Sequence, residues 1–208
     1  MSAKKLAVVT AGLSQPSSTR LLADRLAEAT VEAATLDGVE VEVTVVELRD
    51  IAQDITNNLL TGFPSGRLQE AIDAVAGADA LIAVTPIFSA SYSGLFKSFF
   101  DVIDNTALEG LPTTLAATGG SARHSLALEH EMRPLFSYLR AVTLPTAVFA
   151  ASEDWGSGAD GVSALPSRVR RAGRELASAL AASERSSSVR DEFALDADFS
   201  PFGGVTAE

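Results

Sequence analysis

The chain has 208 residues, of which 47% are hydrophobic and 21% charged, a composition typical of a folded domain with a sizeable core. It contains no cysteine, which excludes disulfides, thiolate nucleophiles and cysteine-ligated metals, so any redox chemistry would need a bound cofactor. The formal net charge of -11 makes nucleic acid and anionic membranes poor partners, because both would be repelled.

Strands and helices alternate along the chain. Apolar or β-branched runs predict strands at 5–10, 39–48, 79–85, 113–118 and 145–150. Helical periodicity predicts helices at 19–34 and 67–78, and from about 93 to 105, 125 to 140 and 162 to 182. Such alternation predicts an α/β fold with a doubly wound parallel sheet, whose ligands bind beyond the carboxyl ends of the strands.

Residues 1–182 contain no repeat or low-complexity tract, so one domain is expected there. Residues 183–208 lose periodicity but keep three phenylalanines, which predicts a tail that is either flexible or docked on a partner subunit. The N-terminus carries no signal-peptide pattern and no segment reaches transmembrane length, so a cytoplasmic location is expected.

The loop after the first strand, "TAGLSQPSSTR", is rich in hydroxyl groups. One of these, from Ser17 or Ser18, can cap the following helix, and an ordinary capped helix is one interpretation. The surplus hydroxyls, together with Arg20 at the positive end of the helix, favour a bound anion such as phosphate. The loop matches neither GxxxxGK[ST] nor GxGxxG, which argues against a nucleotide triphosphate cradle and a dinucleotide crevice.

The loop "TPIFSASYSGLFKSFFD" follows the most apolar strand. Pro86 ends that strand, and the small residues after it would let a flat ligand approach the backbone. Phe88 and Tyr92 offer aromatic surface, or alternatively pack in the core. The helix that follows has more aromatic residues than one core-facing stripe needs, which predicts a subunit interface along it, at Phe96, Phe99 and Phe100.

The loop "ATGGSARHS" follows the fourth predicted strand. Its paired glycines could let backbone N–H groups reach a ligand, and a tight strand-to-helix turn is the alternative. Arg123 and His124 stand at the next helix start, where basic residues again indicate an anion or an electron-rich ring nearby.

Together these three loops resemble the NADPH-dependent FMN reductase family, over roughly residues 4–180, with the middle loop the most specific. The resemblance implies a flavodoxin-like, three-layer fold with five parallel strands in the order 2-1-3-4-5. It also implies an NAD(P)H:flavin oxidoreductase with FMN and NADPH or NADH as cofactors. More narrowly, the chain is similar to actinobacterial reductases that partner luciferase-like flavin monooxygenases.

The resemblance implies a set of cofactor-binding residues. For the FMN phosphate these are Ser14, Ser18, Thr19 and Arg20, with Gln15 where many members carry arginine. For the ribityl chain and the ring they are Pro86, Ile87, Phe88, Ser89 and Ser91, where many relatives read "TPEYNGS". For the pyrimidine edge of the ring they are Thr118, Gly119, Gly120 and Ser121.

In such a reductase the flavin carries the bond-making chemistry, so no catalytic side chain and no metal are expected. We expect backbone donors of Gly119 and Gly120 to stabilise charge that develops at the N1/C2=O edge on reduction. The family also implies a homodimer or homotetramer. Small-molecule substrates and a flavin-dependent monooxygenase are the expected partners.

Other functions remain open from the sequence. A non-enzymatic electron carrier would suit the acidic charge, and a quinone, azo-dye or metal-oxyanion reductase would differ only in the acceptor. A Rossmann-type dehydrogenase could use Glu47 to bind a ribose, but the glycine fingerprint is missing. The arginines at 168, 170, 171 and 174 are either a site for the 2′-phosphate of NADPH or a solvated helix face.

Overall fold

A parallel sheet between two layers of helices makes up the computed structural model, which describes residues 3–155 and 164–185. The strands are β1 (Lys4–Thr10), β2 (Val41–Glu47), β3 (Ala80–Phe88), β4 (Ser91–Tyr92), β5 (Pro112–Gly119), β6 (Val142–Thr143) and β7 (Val148–Ala151). The helices are α1 (Ser18–Leu36), α2 (Ala52–Thr61), α3 (Gly66–Ala76), α4 (Gly94–Asp101), α5 (Arg133–Tyr138) and α6 (Leu165–Ala182).

The strand order is the predicted one. β2, β1, β3 and β5 lie side by side in parallel, and β6 and β7 both pair with the far side of β5. β4 adds a short antiparallel hairpin to the end of β3. The fourth predicted strand is β5, and the fifth predicted strand is divided between β6 and β7. The predicted order 2-1-3-4-5 is therefore confirmed.

The division of the fifth strand corrects the prediction of one strand over 145–150. Pro145 has no N–H to give to a ladder, and the N–H of Thr146 instead donates to Glu175 Oε2 at 3.0 Å. The chain therefore leaves the sheet after Thr143 and rejoins it at Val148.

Side chains of alternate strand residues enter two separate cores. Ala80, Ile82 and Val84 of β3 face α1 and α6, whereas Leu81 and Ala83 face the layer of α2 to α5. This alternation follows from the two-residue period of a strand. The three-layer architecture is thereby confirmed.

The three phenylalanines of α4 lie in the core. Phe96, Phe99 and Phe100 are at most 2% exposed, and Phe100 packs on Phe136 of α5 with ring centroids 4.9 Å apart. The prediction that they form a subunit interface is wrong, because the face of α4 that carries them is already covered by the chain's own α5.

The predicted helix over about 125–140 is broken into short pieces. A 3-10 turn over Ala122–His124 is followed by a π-helical turn over Leu128–Met132 and then by α5. Pro134 supplies the physical reason, since it has no N–H for the bond to residue 130 that a continuous α-helix requires.

β2 forms one edge of the sheet, as its alternating sequence predicts. It pairs only with β1 in the described part of the chain, and Val43 and Val45 are 38% and 37% exposed. Glu42 and Thr44 on the same strand are exposed too.

The segment after α6 is fastened to the amino end of the sheet. Lys4 Nζ donates to the Ser183 carbonyl, and the Arg185 guanidinium donates to the carbonyls of Ala76 at 3.2 Å, Ala107 at 2.7 Å, Ala78 and Glu109. The rest of the predicted tail, 186–208, lies outside the described residues. None of the helices in the described ranges has the length and apolar character needed to cross a membrane.

Candidate functional site

A cavity of about 480 Å³ opens at the carboxyl ends of β1, β3, β5 and β7, where the doubly wound topology places ligands. Its wall is formed by Leu13, Ser14, Ser18, Thr19, Pro86, Ile87, Phe88, Thr118, Gly119, Gly120, Ala150, Ser152 and Trp155. None of these side chains is charged, so among the described residues the polar groups of the wall are hydroxyls, backbone groups and the indole N–H of Trp155.

Most of the residues that the sequence singled out reach this wall, from all three loops. Arg20, Ser89, Ser91 and Ser121 do not. Sequence reasoning missed Leu13 and the whole contribution of the fifth strand, Ala150, Ser152 and Trp155. The rule that ligands gather after parallel strands applies equally to that strand and could have found them.

The first loop is shaped by its helix cap. Ser17 is the N-cap of α1, and its Oγ accepts from the Arg20 N–H at 3.2 Å. A Cβ on Gly12 would lie 2.0 Å from that Oγ, so glycine is required there by the cap itself. In the part of the chain that the structure describes, the hydroxyls of Ser14 and Ser18 have no hydrogen-bond partner, which leaves both available to a ligand.

Thr19 ties the first loop to the third. Its buried hydroxyl lies 2.8 Å from the Thr118 hydroxyl, which joins the start of α1 to the end of β5. This hydrogen bond joins two walls of the cavity.

Arg20 turns away from the cavity. Its Nε donates to Asp24 Oδ1 at 2.7 Å and its Nη1 to Glu47. The hydrogen bond that Arg20 donates to Asp24 is the main cause of the raised pKa of Arg20. Arg20 therefore has two acidic partners within the chain, and its contact with an anion in the cavity stays a prediction.

The β3–β4 hairpin forms another wall. Its two turn residues, Ser89 and Ala90, have φ values of 48° and 68°, a left-handed conformation that usually requires glycine or asparagine. Ser91 Oγ donates to Glu131 Oε2 at 3.1 Å, which holds the hairpin against the π-helical turn. Phe88, the residue before the turn, is 48% exposed at the cavity.

The two glycines of the third loop have different roles. A Cβ on Gly119 would lie 2.7 Å from Cζ of Phe149, so this glycine makes room for a neighbouring ring. A Cβ on Gly120 would meet no atom within 4 Å, so that position faces open space. Packing explains the first glycine but leaves the second unexplained.

The turn after β7, Ser152–Trp155, is held by its own carboxylate. Asp154 Oδ2 accepts from the Ala151 N–H at 2.8 Å, and Oδ1 accepts from Arg168 of α6. Arg168 also donates to the Phe149 carbonyl at 2.5 Å. The guanidinium carbon of Arg25 lies 5.0 Å from the centroid of the Trp155 ring.

A doubly wound sheet of this order, with an uncharged cavity beyond the strand ends, defines a flavodoxin-like α/β protein. The NADPH-dependent FMN reductase family matches residues 4–156, and the chain belongs to that family.

Characterised relatives agree with this assignment. The chain is 36% identical to an FMN reductase (NADPH) of Pseudomonas aeruginosa, over 83% of this chain and 90% of that protein. It is 37% identical to the NADH-dependent FMN reductase SfnF of Pseudomonas fluorescens, over the same shares. Among solved structures, an oxidoreductase from Corynebacterium diphtheriae matches with 47% identity and a TM-score of 0.82, over 86% of this chain and 97% of that one.

Proposed function

We propose that this protein is an NAD(P)H-dependent FMN reductase whose flavin binds in the cavity at the carboxyl ends of the strands. Family membership supports the activity, and relatives named for NADPH and for NADH support either nicotinamide nucleotide as the electron donor. The observation that carries the location is the convergence of three predicted ligand loops on one cavity.

The chemistry of the cavity wall suits FMN. The start of α1 presents backbone N–H groups, and Ser14 and Ser18 add hydroxyls without other partners, a donor set that can hold a phosphate without a cation. The volume of about 480 Å³ falls within the range of about 300–1,000 Å³ usual for cofactor sites.

When bound, the flavin supplies the redox chemistry by accepting a hydride from the nicotinamide nucleotide. The residues of the chain would bind and orient it. Ser14 and Ser18 would hold the phosphate, Pro86, Ile87 and Phe88 would border the ring, and the open Gly120 position would admit a close approach of backbone to ligand.

Arg20, Ser89, Ser91 and Ser121 have a weaker claim to contact the cofactor, because they lie off the cavity wall. Two members of the arginine run on α6 have other partners as well. Arg168 pairs with Asp154, and Arg171 Nε lies 3.2 Å from Glu175 Oε1. A solvated helix face is therefore the better interpretation of the exposed Arg170, Arg171 and Arg174 than a site for the NADPH 2′-phosphate, while Arg168 holds the turn after β7.

We further propose that the reduced flavin serves a flavin-dependent monooxygenase or small acceptors, on the resemblance to the actinobacterial reductases. A homodimer or homotetramer and a cytoplasmic location stay predictions. A permanent electron carrier is the less favoured function, since the named relatives are reductases.

The test is a titration of the apo-protein with FMN, followed by anaerobic addition of NADH or NADPH while the oxidised-flavin absorbance is recorded. We expect binding and rapid bleaching. Binding without bleaching would indicate the electron carrier, and failure to bind FMN would contradict the proposal.

Two variants of the first loop sharpen this test. Ser18→Asp places a negative charge where the phosphate would lie, yet an acidic residue at a helix start favours the fold. It should therefore abolish FMN binding while the melting temperature holds. Arg20→Gln should bind FMN nearly as the wild type does, because that guanidinium is already paired with Asp24 and Glu47.

A further inference from the structure

We infer that Trp155 stacks on the ring system of the bound FMN and that Asp154 and Arg168 are the positioning residues that hold it there. This inference rests on the proposed function. It starts from the fact that Trp155, the single tryptophan of the chain, lines the cavity from a strand that none of the three predicted loops follows.

The wall has an aromatic side chain on each side of the glycine turn. Phe88 follows β3 and Trp155 follows β7, and these strands pair with opposite edges of β5, which ends at Gly119. Two strand spacings separate β3 from β7 by about 10 Å. The two aromatic side chains therefore start from backbone positions on either side of the turn, with room for a ligand between them.

One side of the indole is already covered. Arg25 lies over the ring at 5.0 Å from its centroid, a distance at which a cation is attracted to the π system. Trp155 also packs against the apolar cluster between α1 and α6. These contacts hold the ring in place, so it needs little further ordering when a ligand binds.

The backbone of the turn is fixed just as firmly. Asp154 accepts from the Ala151 N–H at the end of β7 and from Arg168, and Arg168 reaches the Phe149 carbonyl of the same strand. The side chains of Asp154 and Arg168 are only 21% and 30% exposed. These hydrogen bonds join the turn to α6 and β7 immediately before Trp155, and so they fix the position of the indole.

The direct test compares two substitutions at one position. Trp155→Leu removes the aromatic ring and keeps apolar bulk, and it should weaken FMN binding by about 5- to 150-fold, the range of base–aromatic stacking. Trp155→Phe keeps a ring and should retain most of the affinity. The matched control is Phe63→Leu, since Phe63 is an aromatic residue 80% exposed and away from the cavity.

The visible spectrum of bound FMN gives a second readout that a merely structural role would not move. Stacking perturbs the flavin absorption bands, and that perturbation should vanish in Trp155→Leu and persist in Trp155→Phe. A Trp155→Leu protein with wild-type FMN affinity and spectrum would overturn the inference. So would a variant in which the KM for NADH rises tenfold while FMN binding is unchanged, because the indole would then serve the nicotinamide nucleotide.

The positioning role is tested with Asp154→Asn. Since the chain has one tryptophan, its fluorescence anisotropy reports the mobility of Trp155 alone. We expect lower anisotropy and weaker FMN binding together. An unchanged anisotropy would contradict the positioning role of Asp154 and Arg168. If the wild type itself fails to bind FMN, the proposed function fails. If the wild type binds and Trp155→Leu binds equally, only this inference fails.

Discussion

The two ends of the sheet are built from different interactions. At the amino end, Arg185 donates to four backbone carbonyls from the segments before β3 and β5, with Asp79 fully buried nearby and accepting from the Lys5 N–H at 2.9 Å. At the carboxyl end, no charged side chain lines the cavity in the described chain. The pairs Arg20–Glu47 and Arg168–Asp154 lie behind the wall, and a neutral contact joins Thr19 to Thr118 on it.

The interactions at the amino end stabilise the fold, whereas the groups at the carboxyl end are available to bind a ligand. Charge-assisted hydrogen bonds are roughly twice as strong as neutral ones, and at both ends the protein keeps them off the surface that faces the cavity. At the other end, hydroxyls and backbone groups stay available to a ligand, and a left-handed turn at Ser89 and Ala90 is tolerated. We therefore expect substitutions at the amino end to change stability and those at the carboxyl end to change ligand binding.

The largest effect is expected from Arg185→Ala. It leaves the carbonyls of Ala76, Ala107 and Glu109 without this donor, and the free energy of unfolding should fall by about 2 kcal/mol. Burial lowers the pKa of this guanidinium, which nevertheless stays charged at neutral pH. The measurement is a urea titration. The FMN affinity is measured in parallel, and we expect it to be the same as in the wild type.

Two further variants make that prediction sharper. Arg185→Lys should recover only part of the stability, because one ammonium cannot reach carbonyls from two separate segments. Arg174→Ala, an exposed arginine of α6 in the described chain, should have almost no effect. If Arg185→Ala lowered the FMN affinity and left the free energy of unfolding unchanged, the assignment of stability to the amino end and ligand binding to the carboxyl end would be wrong.

A smaller effect of opposite sign is expected at the hairpin. Ala90 has φ of 68°, so Ala90→Gly should raise the free energy of unfolding by about 0.5–1 kcal/mol. The same exchange at Ala74, inside α3, should lower it by about 1 kcal/mol. Thermal unfolding of both variants checks the pair, and a loss of stability at both positions would show that the turn is unstrained.

The smallest effect is a pH dependence at Glu175. Burial raises its pKa, but hydrogen bonds from Thr146 and Arg171 outweigh that and leave the pKa below its usual value. A depressed carboxyl pKa contributes stability above the unfolded value of about 4.3 and loses it as the pH falls through the folded value.

Glu175→Gln should therefore be less stable than the wild type at pH 7 by about 0.5 kcal/mol, and the two should converge near pH 3. Unfolding curves at several pH values provide the comparison. A stability gap that is constant with pH would rule out the ionised carboxylate as its source.

Much of the fold could be predicted because it depends on local periodicity. The apolar run of β3 is typical of a central strand and the alternation in β2 of an edge strand, and these are the positions that the two strands occupy. Pro134 and Pro145 were local signals too, and their missing N–H groups explain the broken helix and the divided fifth strand.

The rest depends on partners distant in the sequence. Glu47 lies 27 residues from Arg20, and Phe136 covers the phenylalanines of α4 from another helix. Composition and spacing within one loop carry no information about such pairs. For that reason the sequence indicated which loops face the cavity but misjudged which side chains of those loops point into it, as Arg20 shows.

The exposed edge at β2 has a consequence for handling the protein. An unpaired strand bearing Val43 and Val45 can add to a strand of another molecule and so begin aggregation. Glu40 and Glu42 stand beside these valines, and their repulsion opposes such stacking at neutral pH. Replacing these glutamates with neutral residues would remove that protection, so such variants should precipitate more readily than the wild type.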